Sequence, residues 1–234
     1  MPYRRLPNTD DARVRALKSA VEEEMTHDIH KGALNPGTLE EARFFLPLLE
    51  NAQLHYKIAY QEQVNASKAL QELMKQARLY LSHFVQVFNL CIIRREVKAE
   101  HKTLYGMTPD CFSVPDMISD GSVLEWGERI IKGERQRISQ GGSPIYNPTI
   151  AKVTVHYDMF KDAYFKQKIY QRNTNRALEK LGQLRDQADN IILDIWNQVE
   201  DKYRDTSDPT SLEICRRYGL IYYYRKGEQM NVFD

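Results

Sequence analysis

Hydrophobic residues recur at alternating spacings of three and four along the first half of the chain. The register holds without a slip from Ala42 to Cys91, and Gln63 is its only polar member. Its members are Ala42, Phe45, Leu49, Ala52, Tyr56, Ala59, Gln63, Ala66, Leu70, Leu73, Ala77, Tyr80, Phe84, Val87 and Cys91. This spacing is typical of the apolar seam of a coiled-coil-like helix. We therefore predict a helix from about Thr38 to about Val97.

A second segment, from Val153 to Ile195, repeats the alternation at positions 111 residues further on. Identical pairs include Ala52 with Ala163, Lys57 with Lys168, Ile58 with Ile169 and Gln76 with Gln187. Lys57, Ile58 and Gln76 lie off the seam, so a shared heptad does not explain their matches. We interpret the two segments as an internal duplication.

The flanking sequences extend the repeat. A short amphipathic helix precedes each Asn-Pro step. The first is capped by Thr9 or Asp10 and carries Val14, Leu17, Val21 and Met25 on one face, and the second is capped by Ser119, Asp120 or Ser122 and carries Leu124, Ile130 and Ile131. A Tyr-Gly pair follows each long helix. We predict a single all-α domain, 1–234, built of two repeats at about 9–115 and 119–227.

Two alternatives concern the continuity of the long helices. Breaks near Asn65 and Asn175 would give a compact bundle of six helices. The unbroken register favours continuous helices, because a tight turn normally resets it. Pro47 lies off the seam and lacks a backbone donor, so a kink or a helix restart is expected there.

The two Asn-Pro steps predict helix starts of different kinds. At the first, Thr38 is expected to cap the long helix, with Glu41 completing a capping box. At the second, Asn147 is expected to cap, with Pro148 at the first helical position.

Two extended pieces, CFSV at 111–114 and LIYYYRK at 220–226, follow the long helices. The second is rich in aromatic and β-branched residues and predicts a strand. Because a lone strand leaves backbone groups unpaired, we expect the two pieces to form a small β-ribbon. The alternative is a hairpin of 220–225 with 229–233.

Composition narrows the class of protein. Hydrophobic residues make up 42% and charged residues 28%, which is ordinary for a folded soluble chain. The net charge of +1 gives no strong attraction for nucleic acid or anionic membrane. The N-terminal residues do not resemble a secretory signal, no run of 18 apolar residues occurs, and the three cysteines fit no zinc spacing. We expect a cytoplasmic protein with reduced thiols.

One set of residues suggests a metal site. Glu24 and His27 form a Glu-x-x-His motif, and His30 follows within the next turn. Di-iron bundles use two such motifs, and the second repeat has no histidine at the corresponding place. The alternative is a solvated helix end, where cations are favourable. Without a Gly-rich phosphate loop or another cofactor motif, no cofactor is expected.

Two groups of residues are candidates for partner binding. The tyrosines Tyr222, Tyr223 and Tyr224 place alternate rings on opposite faces of the predicted strand, which leaves one face exposed. The doublets Arg94-Arg95 and Arg216-Arg217 come near the end of each repeat and form a phosphate- or acid-binding patch if these ends meet. The alternative is favourable charge at helix C-termini.

Several stretches, YRRLPNTD, SHFVQVFNL, EWGERIIKGE and GGSPIYNPT, resemble an uncharacterised family of helical bacterial proteins. The resemblance covers most of the chain and implies a bacterial, cytoplasmic, helical protein. The family has no established activity, so it assigns no functional residue.

Three hypotheses of function follow. The leading one is a non-enzymatic interaction or scaffold protein that binds a protein partner or itself. The second is a metal-binding helical bundle or enzyme that uses Glu24, His27 and His30. The third is weak nucleic-acid binding through the arginine doublets. An apolar stripe along a long helix would favour the first hypothesis, and a pocket joining polar groups of both repeats would favour a ligand site.

Overall fold

The computed structural model describes residues 3–27, 32–203 and 209–224. Within them the chain is all-α, as predicted. The helices are α1 (Asp10–Met25), α2 (Pro36–Ile93), a 3-10 helix (Ala99–Tyr105), α3 (Asp120–Ser139), α4 (Ile150–Lys202) and α5 (Pro209–Arg217), and two short strands are β1 (Tyr3–Arg4) and β2 (Tyr222–Tyr223). None of the described helices combines the length and the apolar character that crossing a bilayer requires.

Both long helices are continuous. Helix α2 has 58 residues and α4 has 53, and neither breaks near Asn65 or Asn175. Pro47 lies inside α2 without a restart of the helix. Pro47 lies in the fourth turn and removes one backbone hydrogen bond from this long helix, and the seam residues Phe45 and Leu49 are buried on either side of it. Tertiary packing therefore outweighs the local cost of the proline.

The first Asn-Pro step starts its helix differently from the prediction. Helix α2 begins at Pro36, and the amide of Leu39 donates to the carbonyl of Asn35 at 3.0 Å. The Thr38 hydroxyl is not the cap, because it donates to Asp194 and accepts from Gln198, both at 2.8 Å. Pro36 thus occupies the position at which a missing N–H costs nothing.

The second Asn-Pro step also departs from the prediction. Pro148 follows a cis peptide bond and lies within a turn closed by a bridge between Tyr146 and Thr149. Helix α4 begins after this turn, at Ile150. Thr149 is its cap, because its hydroxyl accepts from the amide of Lys152 at 3.3 Å. The first step therefore places a proline at the first helical position and the second uses a threonine cap, which is the reverse of the prediction.

The chain forms two compact units whose boundaries cross the predicted repeats. Unit 1 is Met1–Ala59 with Thr174–Asp234, and unit 2 is Tyr60–Asn173. Each unit thus takes the first half of one long helix and the second half of the other. Each also takes its short helix from one repeat and its Tyr-Gly turn from the other.

The core of unit 1 forms where α1 and α5 pack on the halves of the long helices. Its fully buried members include Leu17, Leu49, Trp196, Cys215 and Tyr218. Two bidentate ion pairs attach α1 to α4: Arg13 with Asp189 and Arg185 with Asp10, each with two contacts of 2.8 Å. Such fork-shaped pairs fix orientation as well as charge.

Unit 2 has a core of the same kind. Here α3 and the 3-10 helix pack on the other halves of α2 and α4, and buried side chains include Phe84, Phe88, Tyr105, Ile130 and Phe160. The buried positions Ala77, Phe84, Val153 and Phe160 belong to the predicted seam. The heptad pattern therefore identified part of the buried face of each long helix, and Leu81, Val85 and Tyr157 are buried off the seam.

The short helices confirm their predicted caps, with one error in the predicted face. Thr9 accepts from Ala12 at the start of α1, and Ser119 forms a capping box with Ser122 at the start of α3. Met25 was expected in the core but is 62% exposed, and Glu24 is buried in its place. Helix α1 directs the Glu24 carboxylate inward because groups in the core of unit 1 donate hydrogen bonds to it.

The strand predicted within 220–226 is present, but the segment predicted to pair with it is wrong. Residues 111–114 are irregular, and Tyr222 and Tyr223 instead pair antiparallel with Arg4 and Tyr3. The alternative partner, 229–233, lies outside the described residues. A two-residue strand at the chain's start carries too little pattern to be recognised from sequence.

Two short helices were missed, and both end in the same motif. The 3-10 helix and α5 each precede a Tyr-Gly pair, in which Gly106 and Gly219 have φ of 72° and 86°. Their amides and those of the next residues bond back to the preceding turn, to Thr103 and Lys102 in one case and to Arg216 and Cys215 in the other. This is the Schellman arrangement that favours glycine.

The end of α2 uses the same arrangement without glycine, which generates a prediction. Arg95 has φ of 60°, and the amides of Arg95 and Glu96 bond to Ile92 and Cys91. A left-handed conformation costs about 1 kcal/mol or more for a residue with a Cβ. Arg95→Gly should therefore raise the free energy of unfolding by roughly 0.5–1 kcal/mol, measured by urea denaturation.

Arg94→Gly is the matched control, because Arg94 does not have a positive φ. It should lower the free energy of unfolding through added backbone entropy. Equal effects of the two variants would contradict this explanation.

Candidate functional site

The predicted metal ligands are only partly visible. Glu24 is buried, His27 stacks on the ring of Tyr218 at 6.4 Å, and His30 lies outside the described residues. His27 Nε2 is 3.7 Å from a carboxylate oxygen of Glu23. Among the described residues, no group of three or more histidine, cysteine, aspartate or glutamate side chains is placed to hold a metal ion. The metal hypothesis stays a prediction.

The carboxylate of Glu24 is occupied by hydrogen bonds within unit 1. It accepts from the amides of Ala33 and Leu34, at 2.8 and 3.2 Å, and from the hydroxyl of Tyr218, at 2.8 Å. A Cβ on Gly32 would fall 1.7 Å from one of its oxygens, so only glycine lets the loop approach. Glu24 therefore joins α1, the loop before α2 and the Tyr-Gly turn after α5.

Glu134 does the same in unit 2. It accepts from the amide of Ile145, at 3.2 Å, and from the hydroxyl of Tyr105, which belongs to the other Tyr-Gly pair. Arg137 adds a charge: its guanidinium donates to both Glu134 oxygens, at 2.8 and 2.9 Å, and to the carbonyl of Ser143, at 2.7 Å. Gly142 packs against Arg137, where a Cβ would lie 2.7 Å from the guanidinium.

The tyrosines of both constellations remain protonated donors. Burial, followed by the hydrogen bond to the neighbouring carboxylate, raises the pKa of Tyr105 and of Tyr218. A protonated hydroxyl donates to a carboxylate, whereas a phenolate would repel it. We assign both constellations a structural role, because every contact they make joins elements of the same unit.

Of the three predicted tyrosines, Tyr222 and Tyr223 divide as the alternation indicates, whereas Tyr224 lies beyond the strand and does not follow it. The hydroxyl of Tyr222 donates to Glu200 at 2.9 Å, and its ring packs on the core of unit 1. Tyr223 and Tyr224 are exposed, and the ring of Tyr223 lies 5.8 Å from that of Tyr3. Tyr222 is therefore structural, and partner binding by the other two stays a prediction.

The arginine doublets are exposed and lie at helix ends. Arg94 and Arg95 follow α2 in unit 2, and Arg216 and Arg217 form the last turn of α5 in unit 1. Arg217 lies 3.7 Å from Glu213 on its own helix. Cations at helix C-termini are favourable by themselves. Their binding role stays a prediction.

A groove in unit 1 joins polar side chains of both repeats. It is lined at the start of α1 by Asp10, Asp11 and Arg13, and on the long helices by Lys57 and Arg185. Each of these cations contacts a carboxylate of the same unit at 2.8 Å. Because the charges are mutually neutralised, the groove does not present a free charge to a ligand.

The first half of α2 carries a row of exposed apolar side chains opposite its buried face. We call Phe44, Leu48, Leu54 and Ile58 the first stripe; each is more than half exposed. At 100° per residue they fall within about 120° of the helix circumference. Asn51 and His55 interrupt the row. The first stripe belongs to unit 1 and is not covered by the described residues of that unit.

The first half of α4 has the same feature in unit 2. Adding 111 to the four positions of the first stripe gives Val155, Met159, Phe165 and Ile169, which are 47–56% exposed and which we call the second stripe. Asp162 and Lys166 interrupt this row. The match ends there: Leu79 is exposed further along α2, and its counterpart on α4 is Asn190.

The sequence contained a signal for the stripes that the seam obscured. Phe44, Leu48 and Ile58 are apolar residues off the seam, and each has an apolar counterpart in the second segment. A second apolar row at heptad spacing indicates two contacting faces on one helix. By contrast, no sequence pattern predicts the hydrogen bond between Tyr218 and Glu24, since 194 residues separate them.

Comparisons with known proteins do not add a functional assignment: no family model, no curated protein and no solved structure matches this chain. The resemblance to an uncharacterised bacterial family stays a prediction. The local geometry therefore carries the functional conclusions that follow.

The buried pair in unit 2 generates a prediction. Glu134→Ala should lower the free energy of unfolding by about 3–5 kcal/mol, because it leaves Arg137, which is 2% exposed, as an uncompensated charge. Adding Arg137→Ala to that variant should cost less than Arg137→Ala alone, since the two side chains act as a unit. Urea denaturation of the four proteins of this cycle measures both effects.

Glu128→Ala, on the exposed side of α3, is the control and should stay within about 0.5 kcal/mol of the original protein. Additive effects of the Glu134 and Arg137 substitutions would show that the pair is not a unit.

Proposed function

We propose that this protein is a non-enzymatic interaction protein that binds a protein surface through the exposed apolar stripes of its two long helices. One observation carries the proposal: four equivalent positions of α2 and α4 hold large apolar side chains that remain exposed, while the opposite faces of the same helices are buried. Scattered exposed apolar residues are normal, but a row of them along one helix is typical of a docking surface.

The magnitudes are consistent with binding. Full burial of a large apolar side chain contributes about 1.5–3 kcal/mol, so covering four half-exposed ones contributes roughly 3–6 kcal/mol. Association itself costs about 4–15 kcal/mol. One stripe alone is therefore marginal, and a partner that engages both, or adds favourable electrostatics, is needed for stable binding.

The alternative functions have less support in the geometry. The carboxylate of Glu24 is committed to Ala33, Leu34 and Tyr218, and a metal would have to displace these donors. The arginine doublets belong to different compact units. Metal binding and nucleic-acid binding therefore remain predictions rather than part of the proposal.

Photo-crosslinking in the organism that makes the protein tests the proposal. A photoreactive phenylalanine analogue replaces Phe44 or Phe165, which changes the exposed ring least. The controls place the analogue at Lys68 and Arg176, which are exposed outside the stripes. We expect higher-mass adducts from positions 44 and 165 and few or none from positions 68 and 176.

Equal yields at all four positions, or no adduct at 44 and 165, would contradict the proposal. Mass spectrometry of the adducts identifies the partner as another protein or as a second copy of this chain.

A further inference from the structure

The charges that border the two stripes have opposite signs at equivalent positions. Glu41 and Glu50 flank the first stripe, one on each side of it around the helix. Adding 111 gives Lys152 and Lys161, which flank the second stripe in the same way. The two equivalent rim positions are therefore glutamate beside the first stripe and lysine beside the second, and Arg43 shares the Glu50 edge of the first stripe.

The remaining charges of the two segments keep this difference. Residues 40–58 hold three glutamates and two cations, Arg43 and Lys57, for a net charge of −1. Residues 151–169 hold four lysines and two aspartates, for a net charge of +2. Lys57 is also paired with Asp11 of its own unit, at 2.8 Å, which lessens its effect on the first rim.

In the described part of the chain the rim charges are not held in ion pairs, although Asp158 lies three residues before Lys161 on α4. Glu41, Glu50, Lys152 and Lys161 form no ion pair there, and the two lysines lie over the rings of Tyr80 and Tyr157, at 5.1 and 5.8 Å. A contact with a ring leaves the ammonium charge without a counter-ion. The rims are therefore free to pair with an oppositely charged surface.

We infer that the first stripe of one copy of this protein docks on the second stripe of another copy. This inference rests on the proposed function and names its partner. Apolar side chains meet at the centre of the contact, and Glu41 and Glu50 of one copy face Lys152 and Lys161 of the other, as rim charges do between paired helices. Since each copy carries both surfaces, its sequence already supplies both halves of the interface.

The rim charges also select the pairing. Two first stripes would bring glutamates together, and two second stripes would bring lysines together, so both like pairings are disfavoured. The contact is thus made between different surfaces of the two copies. Such a contact gives either a closed ring of copies or an open chain.

Charge reversal tests the inference in the full-length protein. The variant Glu41→Lys/Glu50→Lys makes both rims basic, and Lys152→Glu/Lys161→Glu makes both acidic. Sedimentation velocity over a range of concentrations should show self-association of the original protein, which weakens as salt is added. Each variant alone should self-associate about tenfold more weakly. Circular dichroism confirms that both remain folded.

A mixture of the two variants gives the decisive result. In the mixture the basic first rim of the Glu41→Lys/Glu50→Lys variant meets the acidic second rim of the Lys152→Glu/Lys161→Glu variant. The contact between the other two rims, one basic and one acidic, is equally favourable. Association should therefore return to the original strength. A monomeric original protein at all concentrations, or a mixture no stronger than its components, would overturn the inference. Crosslinks from position 44 to a different protein, with no self-association, would overturn it and leave the proposed function intact.

Discussion

The rest of the fold depends on the hydrogen bonds that two buried carboxylates, Glu24 and Glu134, accept. Each lies near the end of a short helix and accepts hydrogen bonds from the loop before a long helix and from the tyrosine of a distant Tyr-Gly turn. A buried carboxylate is costly unless its oxygens are satisfied, so the loop and the turn must both be in place. Unit 1 is therefore complete only when segments from both ends of the chain pack together. Unit 2 likewise needs segments from both sides of the centre of the chain.

This requirement explains residues that have no chemistry of their own. Gly32 and Gly142 let the loops approach the buried charges, and Gly106 and Gly219 adopt the left-handed conformation that turns the tyrosines inward. The two sites differ in one respect: Arg137 neutralises Glu134, whereas Glu24 is satisfied by neutral donors. The same geometry is thus stabilised by an ion pair in one unit and by hydrogen bonds in the other.

The short helices and the Tyr-Gly turns pack on one side of each long helix, and the described residues of each unit leave part of the opposite side exposed. The first and second stripes lie on these opposite sides, and two equivalent rim positions hold glutamate beside the first stripe and lysine beside the second. An apolar surface that is not covered by the described residues of its own unit, beside charges that form no ion pair there, is the basis of the docking function proposed above. The carboxylates of Glu24 and Glu134 are already hydrogen-bonded within their units, whereas the stripes are exposed apolar surfaces that a partner would cover.

Local patterns in the sequence determined the helical class, the continuity of α2 and α4, the caps Thr9 and Ser119, and the seam residues that are buried, because each depends on neighbours within a few turns. The tertiary structure alone decided the partner of Tyr222 and Tyr223, the inward turn of Glu24 in place of Met25, and the exchange of helix starts at the two Asn-Pro steps. It also decided that each unit combines halves of both repeats. These features depend on contacts between residues far apart in the chain, where a single sequence has no periodicity to reveal which groups meet.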